Sequence, residues 1–83
     1  MVREMNILDE IIELLMKIRP EFDYTSSENF IEDGLLDSFD VITLTSMIEE
    51  KYNIKIDGVD IVPENFCSLE QIKRLIRKSG GEI

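Results

Sequence analysis

Residues 34–53 read GLLDSFDVITLTSMIEEKYN, and the organisation of the whole chain can be built outward from them. Gly34 marks a turn, Leu35 and Leu36 are apolar anchors, and Asp37-Ser38 is a helix-start pair. Asp37 is a preferred N-cap residue, and Asp40 falls in the first turn, where a carboxylate is favoured. Val41, Leu44, Ile48 and Tyr52 then share one helical face and are expected to point into the core. Phe39, Ile42 and Ser46 lie on a different face, beside Ser38. Asn53 ends the element.

Upstream, Leu8, Ile11, Ile12, Leu15 and Ile18 follow helical spacing, which predicts a first helix from about residue 4 to residue 18. Asp9, Glu10 and Glu13 come early and Lys17 and Arg19 late, an order that suits the helix dipole, and Glu13–Lys17 is a favourable i,i+4 pair. Pro20 stops that helix. Residues 20–37 form a connection longer than most in compact domains. Thr25-Ser26-Ser27-Glu28 offers cap chemistry for one helical turn ahead of Phe30 and Ile31. Phe22, Tyr24, Phe30, Leu35 and Leu36 are expected to pin the loop across the helices.

Downstream, Ile54 and Ile56 alternate with Lys55 but have no partner run to pair with, so residues 53–62 read as an extended piece turning through Asp57-Gly58 into a short helical turn. Pro63 leads to Phe66. Ser68-Leu69-Glu70-Gln71 has the form of a capping box, followed by Ile72, Leu75 and Ile76, and Gly80-Gly81 stops the last helix. The expected fold is all-α, with three main helices, one short helix and a long first loop. Residues 1–83 are expected to form one domain, with its core at about 5–78 and a flexible tail at 79–83.

The chain has 18 acidic and 9 basic residues, no histidine and a formal net charge of -9. A nucleic-acid surface needs a basic footprint, so DNA and RNA binding are excluded, and docking on anionic lipid is disfavoured. Without histidine there is no imidazole base and no Ser-His or Cys-His pair. At this length roughly 60–65% of the unfolded surface is buried, too little for a deep catalytic cavity. No apolar run approaches a membrane span, and Asp9 and Glu10 interrupt any signal-like stretch. A single cysteine, Cys67, precludes an intramolecular disulfide and suits a reducing cytoplasm; between Phe66 and Ser68 it reads as a small core residue. The four methionines suit either the core or a cleft between helices. No EF-hand pattern occurs and no metal site is expected.

Charge position is more informative than its total. Residues 21–50 hold nine acids and no base, and account for the entire net charge. Such a single-signed field is either a solubility device or a docking face for basic partners. Ser38 lies near its middle, after a long anchored loop, where functional residues concentrate. Ser38 is no self-contained nucleophile. It lacks a histidine base, Asp37 and Asp40 are expected to be solvated and weak bases, and no Gly-x-Ser-x-Gly elbow surrounds it. Ser38 can instead be acted upon. A phosphoryl group there would meet the positive end of a helix, while Asp37 and Asp40 would oppose it and drive it outward into solvent.

The stretch Gly34-Leu35-Leu36-Asp37-Ser38-Phe39-Asp40, the following Ile48-Glu49-Glu50-Lys51-Tyr52, the Ile54-x-Ile56 step and Pro63-Glu64-Asn65-Phe66-x-Ser68 resemble a stand-alone carrier protein of the acyl carrier protein family, with its D-alanyl and peptidyl relatives. The resemblance covers about residues 5–78 and implies an antiparallel four-helix bundle with the second helix as the main recognition helix. It implies that Ser38 carries a 4′-phosphopantetheine arm, attached by a separate phosphopantetheinyl transferase from coenzyme A with magnesium, and that cargo is held on the arm as a thioester. It implies a non-catalytic, monomeric, cytoplasmic carrier that meets an acyl- or aminoacyl-loading ligase or synthetase and downstream transferases with basic docking surfaces. By the same resemblance Asp37 and Phe39 belong to the transferase-recognition motif, and Glu49 and Glu50 present acids to partners. With Asp40, Ile42 and Ser46 they make up the expected partner face. Fatty-acid carriers usually read Gly-Ala-Asp-Ser-Leu. Leu-Leu-Asp-Ser is more typical of D-alanyl carriers and carriers of specialised pathways, whereas Asp40 is more like the acyl carriers. The competing reading is a small acidic helical interaction module without a prosthetic group.

Overall fold

The computed structural model describes residues 6–81. The helix that follows Asp37 is α2, Ser38–Tyr52, preceded by α1, Ile7–Ile18, and followed by α3, Leu69–Lys78. Among the described residues there is no strand. The Cα radius of gyration is 12.1 Å, close to the ~12 Å of a compact chain of this length.

Each helix begins where a side chain satisfies backbone N–H groups that have no intrahelical partner. Asn6 accepts from the Asp9 N–H at 2.9 Å, so α1 opens at Ile7; the expected start at residue 4 lies outside the described residues. α1 buries Ile11, Leu14 and Leu15, and leaves Leu8, Ile12 and Ile18 half-buried. The apolar face is thus centred one position over from the expected stripe, because α1 packs against both α2 and α3. The expected Glu13–Lys17 pair is not among the ion pairs formed by the described residues. Both side chains are exposed, where holding a pair costs more rotamer entropy than the screened attraction returns.

α2 behaves as its sequence predicts. Val41, Leu44 and Ile48 are buried and Tyr52 half-buried, and Asn53 closes the helix in the left-handed region, at φ 52°. α3 opens on Ser68, whose hydroxyl accepts from the Gln71 N–H at 3.2 Å. Only this half of the expected capping box forms. α3 ends in a Schellman motif, with Gly80 at φ 100°, its N–H on the Arg77 carbonyl and the Gly81 N–H on that of Ile76. Gly80 and Gly81 therefore stop the helix as the sequence predicts, with Ser79 at its cap; residues 82 and 83 lie outside the described residues.

The short helical turn expected after Asp57-Gly58 is present as a single 3-10 turn, Gly58–Asp60, and a second one, Pro63–Asn65, follows it in the link to α3. The segment is too short between Asp57 and Pro63 for a regular helix to nucleate. Its bonds are local and specific: Asp57 caps the Val59 N–H, Asn65 Nδ2 donates to the Asp60 carbonyl at 2.8 Å, and Lys78 reaches back to Asp60 at 2.9 Å.

The loop 19–37 contributes Tyr24, Phe30 and Leu36 to the core, with Phe22 and Leu35 half-buried. Tyr24 sets its ring edge-on to Phe22 and to Phe30, at 6.4 and 5.4 Å between centroids. The turn after Phe30 is capped by Asn29, which accepts from the Ile31 and Glu32 N–H groups. The upstream Thr25 and Ser26 hydroxyls instead donate to Asp23. An asparagine one residue from the turn is simply closer to the free N–H groups than residues 25–28 are.

Candidate functional site

Asp37 and Asp40 form a complete capping box at the start of α2. The Asp37 carboxylate accepts from the Asp40 N–H at 3.0 Å, and the Asp40 carboxylate accepts from the Asp37 N–H at 3.1 Å. Ser38 is therefore the first helical residue and is exposed, and the cap does not need its hydroxyl. Gly34, at φ 78°, turns the chain into this segment. The Leu35 and Leu36 N–H groups both donate to the Phe30 carbonyl, at 2.8 and 3.1 Å. The approach to Ser38 is thus hung on a fully buried residue.

The expectation that both flanking carboxylates are solvated holds for Asp37 and fails for Asp40. Asp40 is 7% exposed, because the Arg19 guanidinium closes over it. Arg19 Nε donates to Asp40 Oδ2 at 2.7 Å and Nη2 to Asp37 Oδ2 at 3.3 Å, while Nη1 lies 3.9 Å from Glu21. Hydrogen bonding and charge attraction from Asp40 raise the Arg19 pKa above its ordinary value, against an opposing effect of burial. The Asp37 carboxyl is held below the usual carboxylate range, first by the Asp40 N–H and further by Arg19 and the Phe39 N–H, with burial opposing. The backbone of Arg19 is fixed from both sides. Its N–H donates to the Leu15 carbonyl at 2.9 Å, and its carbonyl accepts from the Tyr24 hydroxyl at 2.8 Å.

Along α2 the exposed apolar residues are Phe39 and Ile42, 81% and 60% exposed, in line with exposed Ser46 and near exposed Glu50. Glu49 is half-buried, and its carboxylate accepts from the Ile56 N–H at 2.9 Å. The structure thus groups Ser38, Phe39, Ile42, Ser46 and Glu50 on the outer surface of α2. Asp40 faces inward, and Glu49 is shared between surface and backbone clamp.

Beside Ser38 lies a small hollow of about 160 Å³, lined by Ser38, Val41, Ile42, Ile61 and Pro63. Neither the contribution of Ile61 and Pro63 nor the role of Arg19 is in the sequence reading. For Arg19 a signal existed, since it is the base nearest the N-terminal edge of the acid-only stretch. Cys67 is half-buried and not a core residue. Its thiol donates to the Glu64 carbonyl at the edge of a separate groove that also includes Asn29, Ile31 and Gln71. Of the methionines, Met16 is exposed and Met47 edges an open groove between α1 and α2, while Met1 and Met5 lie outside the described residues. Among the described residues no group of three or more Cys, Asp or Glu side chains is placed to hold a metal, and no helix is long and apolar enough to cross a membrane.

An exposed serine on the first turn of a helix, with its capping duty taken by neighbours, fits a covalently attached group that must stand free of the protein. The family model for the phosphopantetheine attachment site matches residues 6–76. The chain belongs to that family, whose domains carry a covalent 4′-phosphopantetheine group and are generally non-catalytic carriers. Searches of curated proteins and of solved structures returned no match.

Proposed function

We propose that the chain is a carrier domain whose 4′-phosphopantetheine is attached at Ser38. The observation that carries this reading is the capping box: Asp37 and Asp40 each accept from the other's backbone N–H and leave an exposed Ser38 hydroxyl that the cap does not use. When bound, the arm supplies a terminal thiol on which acyl or aminoacyl cargo is held as a thioester. The protein's own residues position and present. Asp37 and Asp40 hold Ser38 on the first turn, Gly34 and Phe30 fix the approach, and the hollow formed with Ile61 and Pro63 gives the base of the arm an apolar neighbour.

Attachment joins the Ser38 oxygen to phosphorus as the pyrophosphate bond of coenzyme A breaks; the nucleotide half leaves, and the hydroxyl proton passes to the transferase. Phe39, Ile42 and Ser46, with Asp37, Glu49 and Glu50 around them, form an apolar strip bordered by acids. That surface suits a phosphopantetheinyl transferase, a loading ligase or synthetase, and downstream transferases with basic docking faces. We place this carrier in the cytoplasm, as a monomer in an antiparallel helical arrangement. It serves fatty acid, polyketide, D-alanyl or other specialised biosynthesis.

The test is incubation of purified apo-protein with coenzyme A, magnesium and a broad-range phosphopantetheinyl transferase, followed by intact mass measurement. One phosphopantetheine should be added to the wild type and none to Ser38→Ala. Loading of Ser38→Ala, or none of the wild type, rejects the assignment.

A further inference from the structure

The modification proposed for Ser38 places a phosphodiester anion next to Asp37 and two residues from Asp40, in a stretch of the chain that has no base of its own. Neighbouring residues on a first helical turn lie well within a Debye length of ~8 Å at physiological salt, so these like charges repel. The base that the fold brings to this end is Arg19, from the far side of the loop. Its fork touches both carboxylates, at 2.7 and 3.3 Å. Its position is preset, because the Leu15 carbonyl and the Tyr24 hydroxyl fix its backbone, and Tyr24 is itself buried against Phe30. A guanidinium held this way spends little further entropy in reaching its partners.

We infer that Arg19 is a positioning residue for the modified serine: by clasping Asp37 and Asp40, it offsets the carboxylates that would otherwise repel the phosphodiester and keeps the first turn of α2 intact after loading. This rests on Ser38 being the attachment point. It assigns Arg19 a task greater in the loaded protein than in the unloaded one, which a purely structural ion pair would not have.

The test is a two-by-two comparison of the wild type and Arg19→Gln, each unloaded and loaded, with urea unfolding as the readout. Loading should raise the unfolding constant of Arg19→Gln by roughly two- to fivefold more than that of the wild type, the size of a partly screened charge pair. The excess should shrink towards one in ~1 M salt, and Arg19→Lys should remove most of it. An equal loss in the loaded and unloaded forms overturns the inference.

Should Arg19→Gln fail to fold, the wild type supplies a second reading. The Arg19 Nε–H resonance should move on loading, with those of Arg74 and Arg77 in α3 as internal controls. An Arg19 signal that moves no more than the controls overturns the inference equally. A wild type that gains no phosphopantetheine by mass overturns the Ser38 assignment and this inference together. Loading without coupling overturns the inference alone.

Discussion

Phe39 offers a way to separate a partner face from a core position. Its side chain is 81% exposed, so only about a fifth of its surface is covered. For an aromatic side chain of ~200 Å² that is ~40 Å², worth about 1 kcal/mol at ~25 cal/mol per Å². Phe39→Ala returns roughly 0.5 kcal/mol through the higher helix propensity of alanine. The net cost is about 0.5 kcal/mol, or a fall in Tm of ~2–4 °C for a domain of this size. Truncating Phe30 or Phe66, both fully buried, would cost ~3–5 kcal/mol. Recognition should respond in the opposite way. An aromatic anchor at the centre of a docking surface is worth ~2 kcal/mol, which is about 30-fold in the kcat/KM for transferase loading. Thermal melts of Phe39→Ala, paired with an intact-mass time course at low carrier concentration, measure both quantities. A stability loss above ~2 kcal/mol, or loading within twofold of the wild type, refutes the reasoning.

Other measurements test the surroundings of Ser38. The Asp37 and Asp23 carboxyls are both held below their ordinary range, Asp37 by the Asp40 N–H and Asp23 by the Ser26 and Thr25 hydroxyls. Each therefore contributes stability above its unfolded pKa of about 3.9 that is lost as pH falls through the lower folded value. Urea midpoints should drop below about pH 4, and Asp37→Asn, which keeps a capping oxygen, should make that drop shallower. On the alkaline side Tyr52 is pushed up by burial and by its hydrogen bond to Glu10. Its contribution is present below the unfolded pKa of about 10 and fades above it, so phenolate absorbance should rise together with unfolding and not before it. Gly34→Ala meets no neighbour within 4 Å but must adopt φ 78°, and should lower stability by ~1–2 kcal/mol in a urea titration without blocking loading at Ser38.

The parts of the fold legible in the sequence were those set by chemistry within a few residues. Asp37 and Asn53 bound α2 because a cap and a left-handed asparagine act on adjacent backbone. Tyr24, Phe30 and Leu36 betrayed an anchored loop because that many apolar side chains cannot stay in water. What escaped the sequence was long-range or competitive. Arg19 lies 18 and 21 residues from the carboxylates it clasps, and nothing in its spacing discloses that the loop folds it back onto them. Glu49 sits on the outer half of α2, yet its carboxylate is drawn to the Ile56 N–H because the extended segment has no strand to pair with. At residues 25–29 several caps competed, and the one nearest the turn prevailed.

The double hydrogen bond to the Phe30 carbonyl has a mechanical consequence. Phe30 is itself tied by its N–H to the Cys67 carbonyl at 2.7 Å, so the residues leading to Ser38 are anchored through it to the chain just ahead of α3. On the proposed attachment at Ser38, that residue is a fixed pivot. The distance over which cargo could be delivered would then be governed by the length and rotations of the arm, and a partner docking on α2 would meet the same anchor point on every visit.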